Sequence, residues 1–206
     1  MKSNLIQRTF VSTDSEEYAD LARRCGAEVP FLRPAEISGD HSTDYEFIIH
    51  ALDWLREQGE EPEVIVHIRP TSPLRDPKVI DNAVSAFLAE PSATSLRSVH
   101  AMSESAYKTF EIAPGGQLKR VFCDHTELDQ ANNARQEFPD TYFANGYVDV
   151  LSPRFIRSSG RIHGDNAIPF ITPKIDEIDT ERDFQEIQRL LALDSKITEN
   201  LFKRDI

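Results

Sequence analysis

Apolar positions in this chain follow two different periods. They recur at helical spacing over four segments, 14–24, 43–57, 78–89 and 181–194. Short apolar or β-branched runs lie between these segments, at 8–12, 28–32, 63–68, 146–151 and 168–172. Because helices and strands alternate, the pattern predicts an α/β domain with a mostly parallel sheet and helices on both of its faces.

Residues that start or stop helices support these assignments. Thr13 or Asp14 is suited to cap the first helix, and Gly26 to end it. Pro77 suits the first turn of the third helix, and Thr180 precedes the last one.

After residue 92 the pattern of apolar positions changes. Short β-like segments are predicted near 94–100, 107–112 and 118–122, with a break at Pro114-Gly115-Gly116. Residues 122–144 are polar and lack a clear period, which predicts a long functional loop. Neither a repeat nor an interdomain linker is visible, so residues 1–206 are predicted to form one domain.

Composition narrows the function. The formal charge of −12 and the pI near 4.9 argue against non-specific binding to nucleic acid. Two cysteines are too few for a disulfide framework or a zinc site, and Cys25 lies in a helical pattern that predicts burial. With neither a signal-peptide core nor an apolar run of about 18 residues, we expect no membrane association and a cytoplasmic location.

The segment 64–75 holds the strongest local signal. Its apolar run predicts a strand buried on both faces, and Pro70 and Pro73 end the strand. The loop that follows would lie at the carboxyl end of the sheet, where α/β proteins bind ligands. Its polar residues, which suit an anionic, hydroxyl-rich ligand, are Arg69, Thr71, Ser72 and Arg75. An ordinary strand-to-helix connection is the alternative.

Two carboxylates near the C-terminus form a candidate metal site. In an extended segment Glu177 and Asp179 project to the same side, and Asp176 is a neighbour that could substitute. Such oxygen ligands suit Mg²⁺, whereas the alternative for Asp179 is an acidic lead-in to the last helix. His67, inside the predicted strand, is interpreted as a core histidine rather than a catalytic base.

Five motifs in order extend over most of the chain. They are Val11-Ser12-Thr13-Asp14, Arg33-Pro34-Ala35-Glu36-Ile37 followed by Asp40, Pro70-Thr71-Ser72-Pro73-Leu74-Arg75, Asn133-Ala134-Arg135-Gln136 with Asn145-Gly146, and Ile178-Asp179-Thr180-Glu181. Together they resemble the cytidylyltransferases of the CMP-sialic acid synthetase family. The resemblance implies a Rossmann-like fold of the nucleotide-diphosphosugar transferase type. It also implies that 94–145 contributes to the sugar site and to a homodimer.

The resemblance further implies roles for individual residues. Arg33, Ser42 and Thr43 would contact the cytosine and ribose of CTP, the alternative being an ordinary helix cap with a surface arginine. The acid sugar would be contacted by Arg69, Thr71, Ser72, Arg75, Gln136 and Asn145. Arg69 and Arg135 are the candidates for the sugar carboxylate, because a guanidinium binds a carboxylate bidentately, and Arg135 would fix the acid sugar. Asp179 would hold Mg²⁺ together with Glu177.

Three departures from the family pattern have consequences. The family has aspartate where this chain has Glu177, and usually glutamine where it has Arg69, which predicts an acceptor other than N-acetylneuraminate. The family also has a glycine- and lysine-rich loop around the triphosphate, and these 206 residues contain no Gly-Ser-Lys run. We therefore expect no turnover by this chain alone. Two hypotheses follow: a cytidylyltransferase that transfers CMP from CTP to an acidic ulosonic sugar, or a truncated non-catalytic remnant that binds nucleotide or sugar acid or pairs with a complete subunit.

Overall fold

The computed structural model describes residues 3–121 and 128–193, together with residues 197 and 201. Within these ranges five α-helices are present: α1 Glu16–Arg24, α2 Asp44–Glu57, α3 Pro77–Leu88, α4 Pro153–Ser159 and α5 Glu181–Leu193. The strands are β1 Ile65–His67, β2 Ser95–Ala101, β3 Phe110–Ile112, β4 Leu118–Arg120, β5 Tyr142–Leu151 and β6 Ala167–Ile171. The predicted α/β class is confirmed.

The main sheet has the strand order β1-β5-β2-β6. Strand β5 is antiparallel to both of its neighbours, and β2 is parallel to β6. Three of the four strands therefore run in one direction, as predicted, but the sheet is mixed because β5 is inserted against them. Strand β5 follows the short 3₁₀ turns within residues 128–137 and enters the centre of the sheet against both of its neighbours.

Strand β1 differs from its prediction. It has three residues, and each is half-buried rather than fully buried. In the described sheet β1 is an edge strand, with hydrogen bonds to β5 on one side. The segments around residues 10 and 28 form a separate parallel bridge, in which the Val11 N–H donates to the Glu28 carbonyl at 2.9 Å. The prediction of burial on both faces was therefore wrong.

Two apolar clusters lie on opposite faces of the sheet. On one face α3 packs Ile80, Val84 and Phe87 against Val148 and Val150 of β5. On the other face Ile48 and Leu52 of α2 pack against Leu151, with Ile156 of α4. Since side chains alternate along a strand, Asp149 shares the α2 face with Leu151. This alternation places a charged residue of the central strand next to α2.

The ends of helix α1 correct two expectations, and a further helix was not predicted. Ser15, rather than Thr13 or Asp14, caps α1, because its Oγ accepts the Tyr18 N–H at 3.3 Å. Cys25 is exposed at the C-terminal cap of α1, so its predicted burial was wrong. Helix α4 was not predicted, although Ser152 and Pro153 begin it and Gly160, with φ of 68°, ends it.

The segment 94–145 contains both sheet and non-sheet parts. Strand β2 and the start of β5 belong to the main sheet, while β3 and β4 form a separate hairpin. The predicted loop 122–144 contains short 3₁₀ turns at Leu128–Asn132 and Arg135–Glu137, and residues 122–127 lie outside the described ranges. No helix in the described part of the chain has the length and apolar character needed to cross a bilayer.

Candidate functional site

Strand direction brings most of the predicted residues to one edge of the sheet. Because β5 runs against the other strands, its amino end lies beside the carboxyl ends of β1, β2 and β6. The segments that follow these carboxyl ends, 68–76, 102–109 and 172–180, therefore meet the start of β5 near residues 142–147. This edge is the candidate site.

Arg75 stabilises the loop after β1 through hydrogen bonds to backbone carbonyls. Its Nε donates to the Tyr147 carbonyl at 2.6 Å, and its Nη2 donates to the carbonyls of Arg69 at 2.5 Å and Gly146 at 2.7 Å. Its Nη1 donates to the carbonyl of Ser72. Four of the five N–H donors of this guanidinium are thus engaged by backbone. The predicted sugar contact of Arg75 has at most one donor left.

Two hydrogen bonds join the metal motif to this loop and to β5. The Ile178 N–H donates to the Thr71 carbonyl at 2.7 Å, and the Gly146 N–H donates to Oε1 of Glu177 at 3.0 Å. Gly146 is also tightly surrounded, since a Cβ built on it would lie 3.3 Å from both Arg69 Cδ and Glu177 Oε1. The φ of Gly146 is not positive, and an added Cβ would require Arg69 or Glu177 to shift by a few tenths of an ångström.

The two predicted metal ligands have different surroundings. Asp179 is exposed, while Glu177 is half-buried and uses one carboxylate oxygen for Gly146. No cluster of three or more acidic, histidine or cysteine ligands occurs in the described ranges. This sparse set of hard oxygen donors fits Mg²⁺, which typically takes one or two carboxylates and completes its shell with phosphate oxygens and water.

Arg69 is held between two carboxylates. Its Nη2 lies 2.5 Å from Oδ2 of Asp44, the first residue of α2, and its Nη1 lies 3.2 Å from Oδ2 of Asp149. Burial lowers the pKa of Arg69, but these two carboxylates outweigh that effect and raise it above its ordinary value. Arg69 is therefore oriented by the protein before any ligand arrives. The sequence analysis did not identify Asp44 or Asp149.

Asp149 is the centre of a larger charged cluster. It is 3% exposed, and on the neighbouring strands it faces His67 at 4.0 Å and Arg97 at 3.8 Å. Burial lowers the pKa of His67, and it does the same for His163, whose Nδ1 lies 3.1 Å from Ser95 Oγ. The side chain of His67 is 11% exposed, but its Nδ1 has no hydrogen-bond partner among the described residues, whereas a core histidine is normally hydrogen-bonded. Its interpretation as a core histidine stays a prediction.

The predicted nucleotide contacts lie around the N-terminus of α2. The guanidinium of Arg33 stacks 5.5 Å from the ring centre of Phe47, and that ring lies 5.4 Å from His67. Ser42 Oγ accepts the Gly39 N–H at 3.0 Å, and the N–H of Thr43 donates to Glu46 in a capping box. Arg33 contacts Phe47 and Arg69 contacts Asp44, two residues that are three positions apart and therefore lie on the same face of α2.

The remaining predicted residues are spread more widely. Arg135 is exposed, and its Nη2 donates to the Met102 carbonyl at 3.0 Å; Gln136 beside it is also exposed. Asn145 is 5% exposed and donates to Thr172 Oγ1 at 2.8 Å, so its side chain joins β5 to the end of β6. A hydrogen bond from Ser103 lowers the pKa of Glu104, and the positive charges of Lys174 and Arg135 lower it further. Lys174 is a cation at this edge that the sequence analysis did not single out.

Comparison with known proteins identifies the family. The model of a family described as cytidylyltransferase matches residues 1–137 of the 206. The chain therefore belongs to the cytidylyltransferase family, as the motifs predicted. A solved structure described as CMP:2-keto-3-deoxy-manno-octonic acid synthetase complexed with CTP has a similar fold, with a TM-score of 0.65 at 10% identity, over 93% of this chain and 83% of that one.

Two curated relatives are similar over most of this chain. The N-acylneuraminate cytidylyltransferase of Escherichia coli is 26% identical over 192 residues, which are 90% of this chain and 42% of that protein. The CMP-N,N'-diacetyllegionaminic acid synthase of Legionella pneumophila is 26% identical over 207 residues, which are 95% of this chain and 83% of that protein. The chain thus spans less than half of the first relative and most of the second.

Proposed function

We propose that this chain carries the sugar and metal sites of an enzyme that transfers CMP from CTP to the anomeric hydroxyl of an acidic ulosonic sugar, and that turnover also needs the phosphate loop expected from the family. In that reaction the hydroxyl oxygen bonds to the α-phosphorus of CTP while the bond from this phosphorus to the bridging oxygen breaks. Pyrophosphate leaves, and the hydroxyl proton is lost. The observation that carries the proposal is the pair of hydrogen bonds, Ile178 to Thr71 and Gly146 to Glu177, that ties three family motifs together at one edge of the sheet.

The names of the relatives support the substrate class. Both curated relatives carry names that denote CMP transfer to sialic-acid-like sugars, and the similar solved structure is described as a complex with CTP. In this chain Arg33, Ser42 and Thr43 would bind the nucleoside beside α2. Such transfer depends on positioning and on neutralising charge more than on covalent participation by the protein.

The acid sugar would lie over the start of β5. Arg135, with Gln136, would fix its carboxylate, because Arg135 is exposed and retains donors beyond its bond to Met102. Arg69 would present its remaining donors from a fixed position, since Asp44 and Asp149 hold the two terminal nitrogens. Asn145 would support the sugar site indirectly, because its hydrogen bond to Thr172 joins the start of β5 to the segment after β6.

Asp179 and Glu177 would hold Mg²⁺ together with phosphate oxygens. When bound, Mg²⁺ would screen the charge of the triphosphate and lower the pKa of the attacking hydroxyl. Glu177 keeps one oxygen on the Gly146 N–H, so its second oxygen is the one available.

The alternative is a chain that binds nucleotide or sugar acid without turnover. Its support is the absence of a glycine- and lysine-rich phosphate loop from these 206 residues. One experiment separates the two hypotheses. The chain, alone and fused to a family phosphate-loop segment at its N-terminus, is incubated with Mg²⁺, CTP labelled at the α-phosphate and a panel of eight- and nine-carbon ulosonic acids, and labelled CMP-sugar and pyrophosphate are measured. Product that disappears in Asp179→Asn supports the transferase, whereas CTP binding by calorimetry without product from either form supports the alternative.

We also propose that the chain forms a homodimer through the β3–β4 hairpin. One face of this hairpin carries Ile112, which is 75% exposed, directly opposite Leu118, which is 50% exposed. The other face carries the ion pair between Glu111 and Lys119. A second copy that covers the apolar face would remove these side chains from water.

A further inference from the structure

A cavity of about 200 Å³ lies between the loop after β1 and the segment that leads to Glu177. Its polar wall consists of Ser72, Arg75, Tyr147, Lys174 and Asp176, and apolar atoms of Leu74 and Ile175 complete it. It lies beside the Ile178 to Thr71 hydrogen bond, and therefore next to the proposed transferase site. The family motifs do not account for Lys174.

Ser72 is the most unusual residue of this wall. It is 2% exposed, and its Oγ has no hydrogen-bond partner among the described residues. Buried hydroxyls in folded proteins are normally hydrogen-bonded, because an unpaired one has lost its hydration without compensation. A ligand in the cavity that accepts a hydrogen bond would satisfy this hydroxyl.

The charges around the cavity are of both signs. Arg75 donates to four backbone carbonyls and forms no ion pair with a described carboxylate, and burial lowers its pKa to about 10. Lys174 is exposed, and since its charge lowers the pKa of Glu104, both Glu104 and Asp176 offset it. Binding of an anion here would therefore depend on direct hydrogen bonds, the Ser72 hydroxyl first, more than on attraction between charges.

We propose that Ser72 and Lys174 form an oxyanion subsite that binds a phosphate or carboxylate group of a transferase substrate. The Ser72 hydroxyl donates to one oxygen, and the Lys174 ammonium pairs with another from the rim of the cavity. The inference rests on the proposed function for the origin of the anion, which is either the triphosphate of CTP or the carboxylate of the acid sugar. The shared chemistry is a small, hydrogen-bonded oxyanion.

The test measures binding rather than turnover. Calorimetry in magnesium-free buffer compares pyrophosphate, N-acetylneuraminate and 3-deoxy-manno-octulosonate as probes. The proteins are wild type, Lys174→Gln, Ser72→Ala and the control Lys119→Gln, whose lysine lies on the β3–β4 hairpin. We expect Lys174→Gln and Ser72→Ala each to weaken one class of anion by about 10-fold, as for a hydrogen bond to a charged group, and the control to match wild type. Weakened pyrophosphate binding would assign the subsite to phosphate, and weakened sugar binding would assign it to carboxylate.

Stability separates a binding role of Ser72 from a structural one. Because its hydroxyl has no partner, Ser72→Ala should melt at the same temperature as the unliganded wild type or higher. Anion affinities that are equal in all four proteins, or wild type that binds none of the probes, would overturn the subsite. The proposed function is tested independently of the subsite. If the chain binds anions through Lys174 but forms no CMP-sugar even when fused to the phosphate-loop segment, the transferase assignment is contradicted and the subsite is not.

Discussion

The carboxylate of Glu177 accepts the backbone N–H of Gly146 at 3.0 Å, and this contact joins the metal motif to the start of β5. A side chain on Gly146 would crowd this contact, because its Cβ would lie 3.3 Å from Glu177 Oε1 and from Arg69 Cδ. Gly146 and Glu177 belong to two motifs that are far apart in sequence, and this hydrogen bond fixes the two motifs relative to each other.

Gly146→Ala should disturb this contact. The added methyl group forces Arg69 or Glu177 to move by a few tenths of an ångström, and we expect a loss of about 1–2 kcal/mol in the free energy of unfolding. CTP and sugar affinity should also fall. The matched control is Gly39→Ala, where a Cβ meets nothing within 4 Å. Urea denaturation of both variants checks the result, and equal stability of the two would contradict the crowding argument.

The two carboxylates of the metal motif should respond differently to neutralisation. In Glu177→Gln the amide oxygen can still accept the Gly146 N–H, so the local structure is retained. Asp179 is exposed, and its carboxylate forms no hydrogen bond with another residue in the described ranges, so Asp179→Asn should remove mainly the proposed Mg²⁺ ligand. We expect the larger loss of CMP-sugar formation, about 100-fold or more, in Asp179→Asn. Rates measured over a range of Mg²⁺ concentrations test this order, and equal losses would count against it.

The sequence predicted the helices and strands better than the residues that surround the site. Amphipathic spacing and the caps at Pro77 and Thr180 identified α3 and α5 because these signals are local. Helix α4 was missed because it has only seven residues, although Ser152-Pro153 and Gly160 mark its ends. Burial of β1 was overestimated, because an apolar run does not reveal whether a strand is central or at an edge.

Contacts between residues that are far apart in the sequence could not be predicted from local patterns. Arg69 pairs with Asp44, 25 positions earlier, and with Asp149, 80 positions later, and neither aspartate belongs to a recognisable motif. Their positions depend on how α2 and β5 pack, which local patterns do not specify. The one available signal was a charged residue inside the apolar run 146–151.

Asp149 should therefore matter more for stability than Asp44. Asp149→Asn leaves Arg69 and Arg97 beside a buried neutral amide, and we expect a loss of about 2–3 kcal/mol because removing one partner of a buried ion pair is strongly destabilising. Asp44 is one-third exposed, so water compensates Arg69 there and Asp44→Asn should cost about 1 kcal/mol or less. Chemical denaturation of both variants gives the comparison. A larger loss in Asp44→Asn than in Asp149→Asn would show that the ion pair between Arg69 and Asp44 contributes more to the free energy of unfolding.

The partly buried His67 and His163 should make stability depend on pH. Burial lowers the pKa of His67 and His163 in the folded state below 6.5, so the unfolded chain binds more protons once the pH falls below that value. Stability should therefore be highest above about pH 6.5 and should decrease as the pH falls toward 5, before most carboxylates titrate. His67→Gln should reduce this slope, whereas substitution of the exposed His41 should not. Melting temperatures between about pH 5 and 8 test it, and identical slopes would refute the assignment to His67.

The last prediction concerns the β3–β4 hairpin. Ile112→Glu places a charge on the face that it shares with Leu118 and Phe110, all three of which are exposed in the single chain. If a second copy covers this face, the buried charge would be unpaired and the dimer should dissociate, with at least about a 10-fold rise in its dissociation constant. Lys119→Gln, on the opposite face of the same hairpin, should leave the dimer intact. Sedimentation equilibrium of the three proteins measures this, and a wild-type chain that is monomeric at all concentrations, or a dimer that is insensitive to Ile112→Glu, would exclude this hairpin as the interface.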